Sequence, residues 1–430
     1  MNTVRRKPEN EPVGSSQEKA PLIADLKNQT SGHGHRAGSE TWTCAFAPNR
    51  SYFAWSCGNR LVRLVPWDAY RNTVAVQANV NRNADHQNED NGHNGNNNYL
   101  NQIRTIDCGE IVWAVAFGSS VPERTRKNVH IHYTRFHCGS SEELVLATGL
   151  NSGRIKTWDI HKGELLHYLI DHKEVIRDLS FAPDGSLMLV SASRDKTLKV
   201  WDLNDDGNMA ITLKGHPKWV FGCCFSPDTK LLVSVGSNKS IILWKVVSLP
   251  KDIHLWKRLE GHYNDVVSCK FSPDGALLAT CSWDTRVILW DPYTGEQLKT
   301  FGHVYPPPSP IFAGGANDTW VRDVAFSPDG SHIATVADDK YVRFWSIFQD
   351  DLPEQIAVVP NGLCCAFSPG GGVLATGSRN GNVFFFAAPM KVQKLQHLCR
   401  IALRRLMHNT QKIDKLFIPN SLKEFLKYKA

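Results

Sequence analysis

HKEVIRDLSFAPDGSLMLVSASRDKTLKVWD, residues 172–202, is the stretch that decides the fold. Leu179 and Phe181 alternate with Asp178 and Ser180, the period of a strand with one buried face. APDG then supplies a turn, LMLVSAS a second strand, RDKT a tight polar turn, and LKVW a third strand that ends in Trp201. The pattern recurs as HPKWVFGCCFSPDTKLLVSVGSNKSIILWK (216–245), HYNDVVSCKFSPDGALLATCSWDTRVILWD (262–291) and TWVRDVAFSPDGSHIATVADDKYVRFWS (319–346). Self-similarity at a period of this size marks a repeat architecture.

These units resemble WD repeats. Weaker copies run from Trp42 to Trp67, from Ile111 to Trp158 and from Gly362 to Phe386, which brings the count to seven. The resemblance implies an all-β, seven-bladed WD-repeat β-propeller, in which circular closure removes exposed sheet edges. Residues 20–390 are expected to form it, with Ala20–Lys27 as the candidate strand that completes the last blade and 1–19 as a disordered leader. The family's hydrogen-bonded tetrad carries over to His172, Ser191, Asp195 and Trp201 in the third repeat, and to His262, Thr280, Asp284 and Trp290 in the fifth. A His/Ser/Asp set also invites a catalytic reading, but the same set recurs blade after blade and no nucleophile elbow accompanies it. Asn238 replaces the turn acid in the fourth repeat, Ser152 in the second, and Asn380 with Phe386 stands for Asp and Trp in the seventh. The first lacks both the turn acid and the His.

Three insertions interrupt the array. Residues 72–102, with NGHNGNNN at their centre, are too polar to pack and read as a disordered loop. GHVYPPPSPIFAGGA, from Gly302, reads as a spacer or a polyproline-like docking loop. HIHYTRFHC groups His130, His132, His137 and Cys138 without a fixed metal-ligand geometry. No metal or other cofactor is expected.

The 430 residues carry a net charge of +7, which raises the question of nucleic acid until the charge is located. From Lys391 onward ten Lys or Arg face only Asp414 and Glu424, so the body before them is near neutral. No groove-reading or base-stacking motif accompanies the charge, and no nucleic-acid partner is expected. No apolar run approaches the roughly 18 residues of a membrane span, and no apolar segment follows the basic N-terminus as a secretory signal would require. Eleven cysteines, an odd number without C-x-x-C spacing, read as buried thiols of an intracellular protein, cytoplasmic or nuclear.

Six tryptophans, Trp67, Trp158, Trp201, Trp244, Trp290 and Trp345, close third strands and belong to the core. Trp42, Trp113, Trp219, Trp283 and Trp320 instead fall at the start of a repeat's first strand or just before its turn acid, and Arg177, Arg194, Phe221, Arg322 and Arg379 fall at equivalent positions. In WD propellers those positions open onto the narrow top face, and Trp with Arg dominates interface hot spots. The ten residues are therefore the expected substrate-binding face. It is cationic and aromatic, suited to a segment with acidic and apolar residues, with Asp265 and Asp338 opposing that sign locally.

Residues 391–430 carry a different signal. Leu395, Leu398, Cys399, Ala402, Leu403 and Leu406 form one apolar stripe at helical spacing, with Arg400, Arg404 and Arg405 expected on the wet face. Ser421, with Glu424 three residues on, reads as the cap of a further helix whose apolar side is Leu422, Phe425 and Leu426. A segment below about 40 residues rarely stabilises itself, so the stripes want a partner.

This tail resembles a SOCS box, the adaptor that recruits elongin B/C and a cullin with its RING protein. Leu395, Leu398, Cys399 and Leu403 match the elongin-binding part, and Leu416, Ile418, Pro419 and Leu422 the part that favours cullin-5, with Phe417 where a Pro is usual. Lys394 departs from the small or Pro residue that commonly precedes the Leu. Across residues 42–430 the chain is similar to the WD-repeat and SOCS-box protein family, including FGSSVPE, SASRDKT, IFAGGAND and LQHLCR. The resemblance implies a non-catalytic substrate receptor of a ubiquitin ligase, with a protein substrate held by the propeller. The rival is a propeller scaffold whose tail helices pack back on the ring. A cullin-4 receptor fits less well, because Trp158, Trp201 and Trp290 lack the WD-x-Arg continuation.

Overall fold

A computed structural model describes residues 18–27, 40–58, 60–68, 70, 103–121, 143–303, 320–348, 352–389, 395–407 and 410–429. The Asn-rich insertion, the His130/His132/His137/Cys138 group, all but the first residues of the Pro-rich insertion, Lys394 and residues 1–17 lie outside these.

Seven sheets stand around one axis, each built on four antiparallel strands with its first repeat strand innermost. In the third, Ile176–Phe181, Met188–Ser193, Thr197–Asp202 and Asn208–Lys214 follow one another outward. Leu179 pairs with Ser191 and Ser191 with Lys199, so the alternation seen in the sequence sends one face of each strand to each neighbouring blade. The core is accordingly a ring of inter-sheet layers. Trp201 packs into the layer shared with Val145, Ala147 and Leu169 of the second blade, and Trp244 into the layer shared with Val190 and Val200 of the third. Truncating so large a buried ring costs about 3–5 kcal/mol.

Closure comes from the N-terminal side. Leu22–Leu26 pairs antiparallel with Val383–Ala387 and becomes the outermost strand of the seventh blade. Glu18–Lys19, expected within the leader, form a strand too, pairing parallel with Gln355–Val358 as a fifth strand of the sixth blade. Its backbone satisfies that outer edge, a gain that side-chain patterning does not register.

The tetrads hold the blades' inner geometry. His172 places Nδ1 2.6 Å from Asp195 and Nε2 2.7 Å from the Ser191 hydroxyl, which also accepts from Trp201 Nε1 at 2.9 Å. His262, Asp284, Thr280 and Trp290 repeat this at 2.8 Å throughout. Burial pushes the Asp195 and Asp284 carboxyls up, but their histidine partners and backbone donors outweigh it and hold both below the usual range. In the fourth blade, where Asn238 stands for the acid, His216 reaches Ser234 at 2.7 Å while its Nδ1 has no partner among the described residues. The sixth blade has a tetrad histidine at the start of the Pro-rich insertion: His303 meets Thr335 at 2.8 Å and Arg343 at 2.9 Å.

Three helices end the chain: α1 Leu395–Leu406, α2 Thr410–Asp414 and α3 Asn420–Leu426. Ser421 does not cap α3. Pro419 holds the cap position, with φ near −54° and no side-chain hydrogen bond, so the fixed φ of proline sets the start of this helix.

Candidate functional sites

A repeated irregularity builds the top face. The innermost strand slips register between Val112 and Ala114, Ile176 and Asp178, Val220 and Gly222, Val266 and Ser268, Val321 and Asp323, and Gly362 and Cys364. The extra residue in each is Trp113, Arg177, Phe221, Val267, Arg322 or Leu363, and all six line the axial channel, a cavity of about 720 Å³. A bulge re-aims one side chain without ending the strand. Here it turns one residue in each of six blades toward the channel mouth. Val267 and Leu363 were missed by the sequence reading, which sought aromatic and cationic residues only. Gly236 serves the same hairpins, since a Cβ there would overlap the Trp219 carbonyl oxygen.

Aromatic rings and guanidiniums then join into an arc. Trp42 meets Trp113 at 4.5 Å between centroids, and Arg177 lies 4.6 Å over the Trp113 ring and 5.7 Å from that of Phe221. Arg194 lies 4.8 Å over Trp219 and 5.9 Å from Trp113. Phe221 leads to Trp283, which stacks on Trp320 at 4.6 Å, with Arg322 5.3 Å from the latter. Arg379 is exposed, and no contact among the described residues joins its side chain to this arc. The cations are not equivalent. Arg322 is paired in bidentate fashion with Asp338, at 2.9 and 2.6 Å. Burial and the nearby charges of Arg194 and Arg322 lower Arg177 to about 10.

Below the mouth, Asp178 accepts from the Leu179 and Cys223 amides and Asp323 from those of Val324 and Cys365, tying neighbouring blades together. Burial raises both carboxyls. Lys270 also lines the channel, where burial alone would lower it, but Asp178, Cys224 and Asp323 together raise it. The far opening is ringed by turn prolines and by Arg405 of α1. The arc and the tail therefore sit at opposite ends of the channel.

The tail docks by the face expected to be wet. Arg400 and Arg404 are 2% and 1% exposed, whereas Leu395, Leu398, Cys399, Ala402, Leu403 and Leu406 all face outward. Only Arg405 of the three arginines is exposed. The reason lies in one propeller ring and two rings of the tail itself. Phe348, Phe425 and Tyr428 enclose the Arg400 guanidinium at 5.2, 3.6 and 4.5 Å, a cation–π cage. His397 Nε2 lies 3.0 Å from the Asp329 carbonyl oxygen, and the Tyr428 hydroxyl donates to Asp274 at 2.7 Å. Asp274 and Asp329 belong to the turns after the innermost strands of blades five and six. Farther along, Leu416 and Ile418 are half-buried, Pro419 and Leu422 are exposed, and Phe417 is fully exposed.

Among the described residues no group of His, Cys, Asp and Glu is arranged to hold a metal, and no helix is long and apolar enough to cross a membrane. The family model for the SOCS box matches residues 391–427, and that for the WD domain, G-beta repeat, matches 163–202, 207–245, 254–291, 308–346 and 359–386. The chain is 56% identical over 400 residues to WD repeat and SOCS box-containing protein 1 of Homo sapiens, covering 92% of each. It is 54% identical to the protein of that name from Danio rerio over 96% of each, and 55% identical to that of Mus musculus over 92% of this chain and 93% of the mouse protein. A bulge-built top face, tetrad-braced blades and a C-terminal helical box with an outward apolar stripe thus accompany identity along nearly the whole length: the chain belongs to the WD repeat and SOCS box-containing protein family.

Proposed function

We propose that the chain is the substrate-recognition subunit of a cullin-RING ubiquitin ligase, in which the top-face arc holds a target protein and the tail recruits elongin B/C and a cullin, cullin-5 being favoured. The observation that carries this is the orientation of α1. Arg400 and Arg404 are buried against the Phe348 ring of the propeller and the tail's own Phe425, Tyr428 and Thr410, and the stripe of Leu395, Leu398, Cys399 and Leu403 is left outward. The rival, a scaffold whose tail helices pack back on the ring, shares the contacts of His397, Arg400 and Tyr428 with the propeller but gives the outward stripe no role. Leu395 and Leu398 enter apolar pockets of the partner, and the small Cys399 allows close approach. Leu416, Ile418, Pro419 and Leu422 form the cullin-facing part, with Phe417 standing exposed beside them. No residue of this chain performs covalent chemistry. Its contribution is proximity, raising the effective concentration of target lysines near the ubiquitin thioester.

Burying one leucine is worth about 1.5–3 kcal/mol, so L395D combined with C399K is expected to weaken elongin B/C binding by about 100-fold or more. Co-purification of elongins B and C with wild type and the double variant measures this. Equal recovery with both proteins, or with neither, sinks the ligase reading.

A further inference from the structure

Within the reading that the top face holds the target, we propose that one oxyanion of the target segment, a carboxylate or a phosphate, seats between Arg177 and Arg194 at the channel mouth. The two guanidiniums share one ring. Both lie over Trp113, at 4.6 and 5.9 Å, and each has a second ring, Phe221 at 5.7 Å for Arg177 and Trp219 at 4.8 Å for Arg194. The rings cover the faces of the guanidiniums and leave their N–H edges for an acceptor. Neither side chain forms an ion pair with an acid among the described residues, and the Nε of each donates to no partner there. Elsewhere on the propeller the pattern is the reverse: Arg322 is bound to Asp338, Arg343 to Asp339 at 2.5 Å, and Arg60 to Asp107.

Two like charges held close, with no acid between them, are a preorganised receptor for an anion. The surrounding rings limit water, which strengthens the charge-assisted hydrogen bonds an oxyanion would accept. Burial first, and then the charges of Arg194 and Arg322, lower Arg177. The ligand is a peptide with a single acid, since Asp338 on the same mouth and Asp265, whose carboxylate accepts from the Asn238 amide at 2.8 Å, would repel a polyanion. Trp42, Trp283 and Trp320 on either side of the pair call for apolar neighbours to that acid.

The test is selection of a random dodecapeptide display library on the full-length chain, followed by binding of the selected peptides and of copies carrying serine or phosphoserine in place of the acid. Wild type is expected to fix Asp or Glu at one position flanked by apolar residues, and the serine copies to bind at least about thirtyfold more weakly. R177M/R194M is expected to lose that preference. R194M alone, at a half-buried position that leaves the channel wall intact, is expected to reduce it about tenfold. Tighter binding of the phosphoserine copy assigns phosphate as the natural ligand, and tighter binding of the Glu or Asp peptide assigns carboxylate. Selected peptides without a fixed acid, acidic peptides that bind both variants as well as wild type, or no selected peptide at all overturn the proposal. Elongin B/C recovery measured on the same proteins tells that failure from failure of the ligase reading, because it reports on the tail alone.

Discussion

Arginine on aromatic rings occurs at both ends of the channel, and the two ends use it oppositely. At the top, Arg177 and Arg194 have rings against their faces and nothing on their edges. At the bottom, Phe348, Phe425 and Tyr428 close round Arg400 while the Tyr428 hydroxyl is itself engaged by Asp274. The first arrangement is open to a ligand. The second is a clasp, and its effect is to turn the apolar side of α1 outward. Arg400 too has Nε and Nη1 without a hydrogen-bond partner among the described residues, so the difference lies in the number of rings, two against each top arginine and three around Arg400.

The largest separation of the two regions is expected in acid. Burial and the Arg258 charge lower His216 to about 3, and burial with the Arg343 charge puts His303 well below its ordinary value. Between those values and about 6.5 the unfolded chain binds protons that the folded propeller does not, so stability falls as pH drops below about 6.5. From pH 7 to pH 5 the loss is about 2 kcal/mol for each such histidine, read as a falling Tm of the propeller transition. Arg400 stays cationic over that range, so the clasp itself should not weaken. An unchanged Tm between pH 7 and pH 5 would contradict the buried neutral histidines.

R400E attacks the clasp directly, placing a carboxylate against three ring faces and near Asp274. It is expected to cost about 2 kcal/mol, seen as faster amide hydrogen exchange over residues 410–429 with the propeller's own protection unchanged. If the tail exchanges at the wild-type rate, the cage does not hold it. The smallest effect belongs to the open end. Trp219 is 47% exposed, and W219A is expected to change the stability of the fold by no more than about 0.5 kcal/mol while it reduces target capture. A large drop in Tm would make Trp219 a packing residue rather than part of a receptor.

Spacing revealed the repeats, because they rest on local order: period two, a turn, a closing Trp; the two full tetrads and the arc positions were placed by the resemblance to WD repeats. The direction in which α1 faces was not legible. Amphipathicity says which residues share a side, and the usual assumption that the apolar side goes inward fails when the docking surface is Phe348 and a turn carbonyl contributed from far earlier in the chain. Arg400 was misread for that reason, and Arg404 because its partner Thr410 stands within the tail itself. The inequality among the top-face arginines was hidden similarly, since the Asp338 that neutralises Arg322 lies in the turn after the next strand and its carboxylate geometry has no signature in spacing. The fifth strand at Glu18–Lys19 carries no pattern at all, being only two residues held by backbone bonds.

The closing strand has a consequence for synthesis. Leu22–Leu26 finds its partner only when Val383–Ala387 has been made, and at about 5–20 residues per second that is a wait of roughly 20–70 s on the ribosome. Throughout it the growing ring has two raw ends exposed to chaperones and to other nascent chains. The helices of the tail are translated directly after the last blade, so the segment that would engage a ligase is completed only once the ring has what it needs to shut.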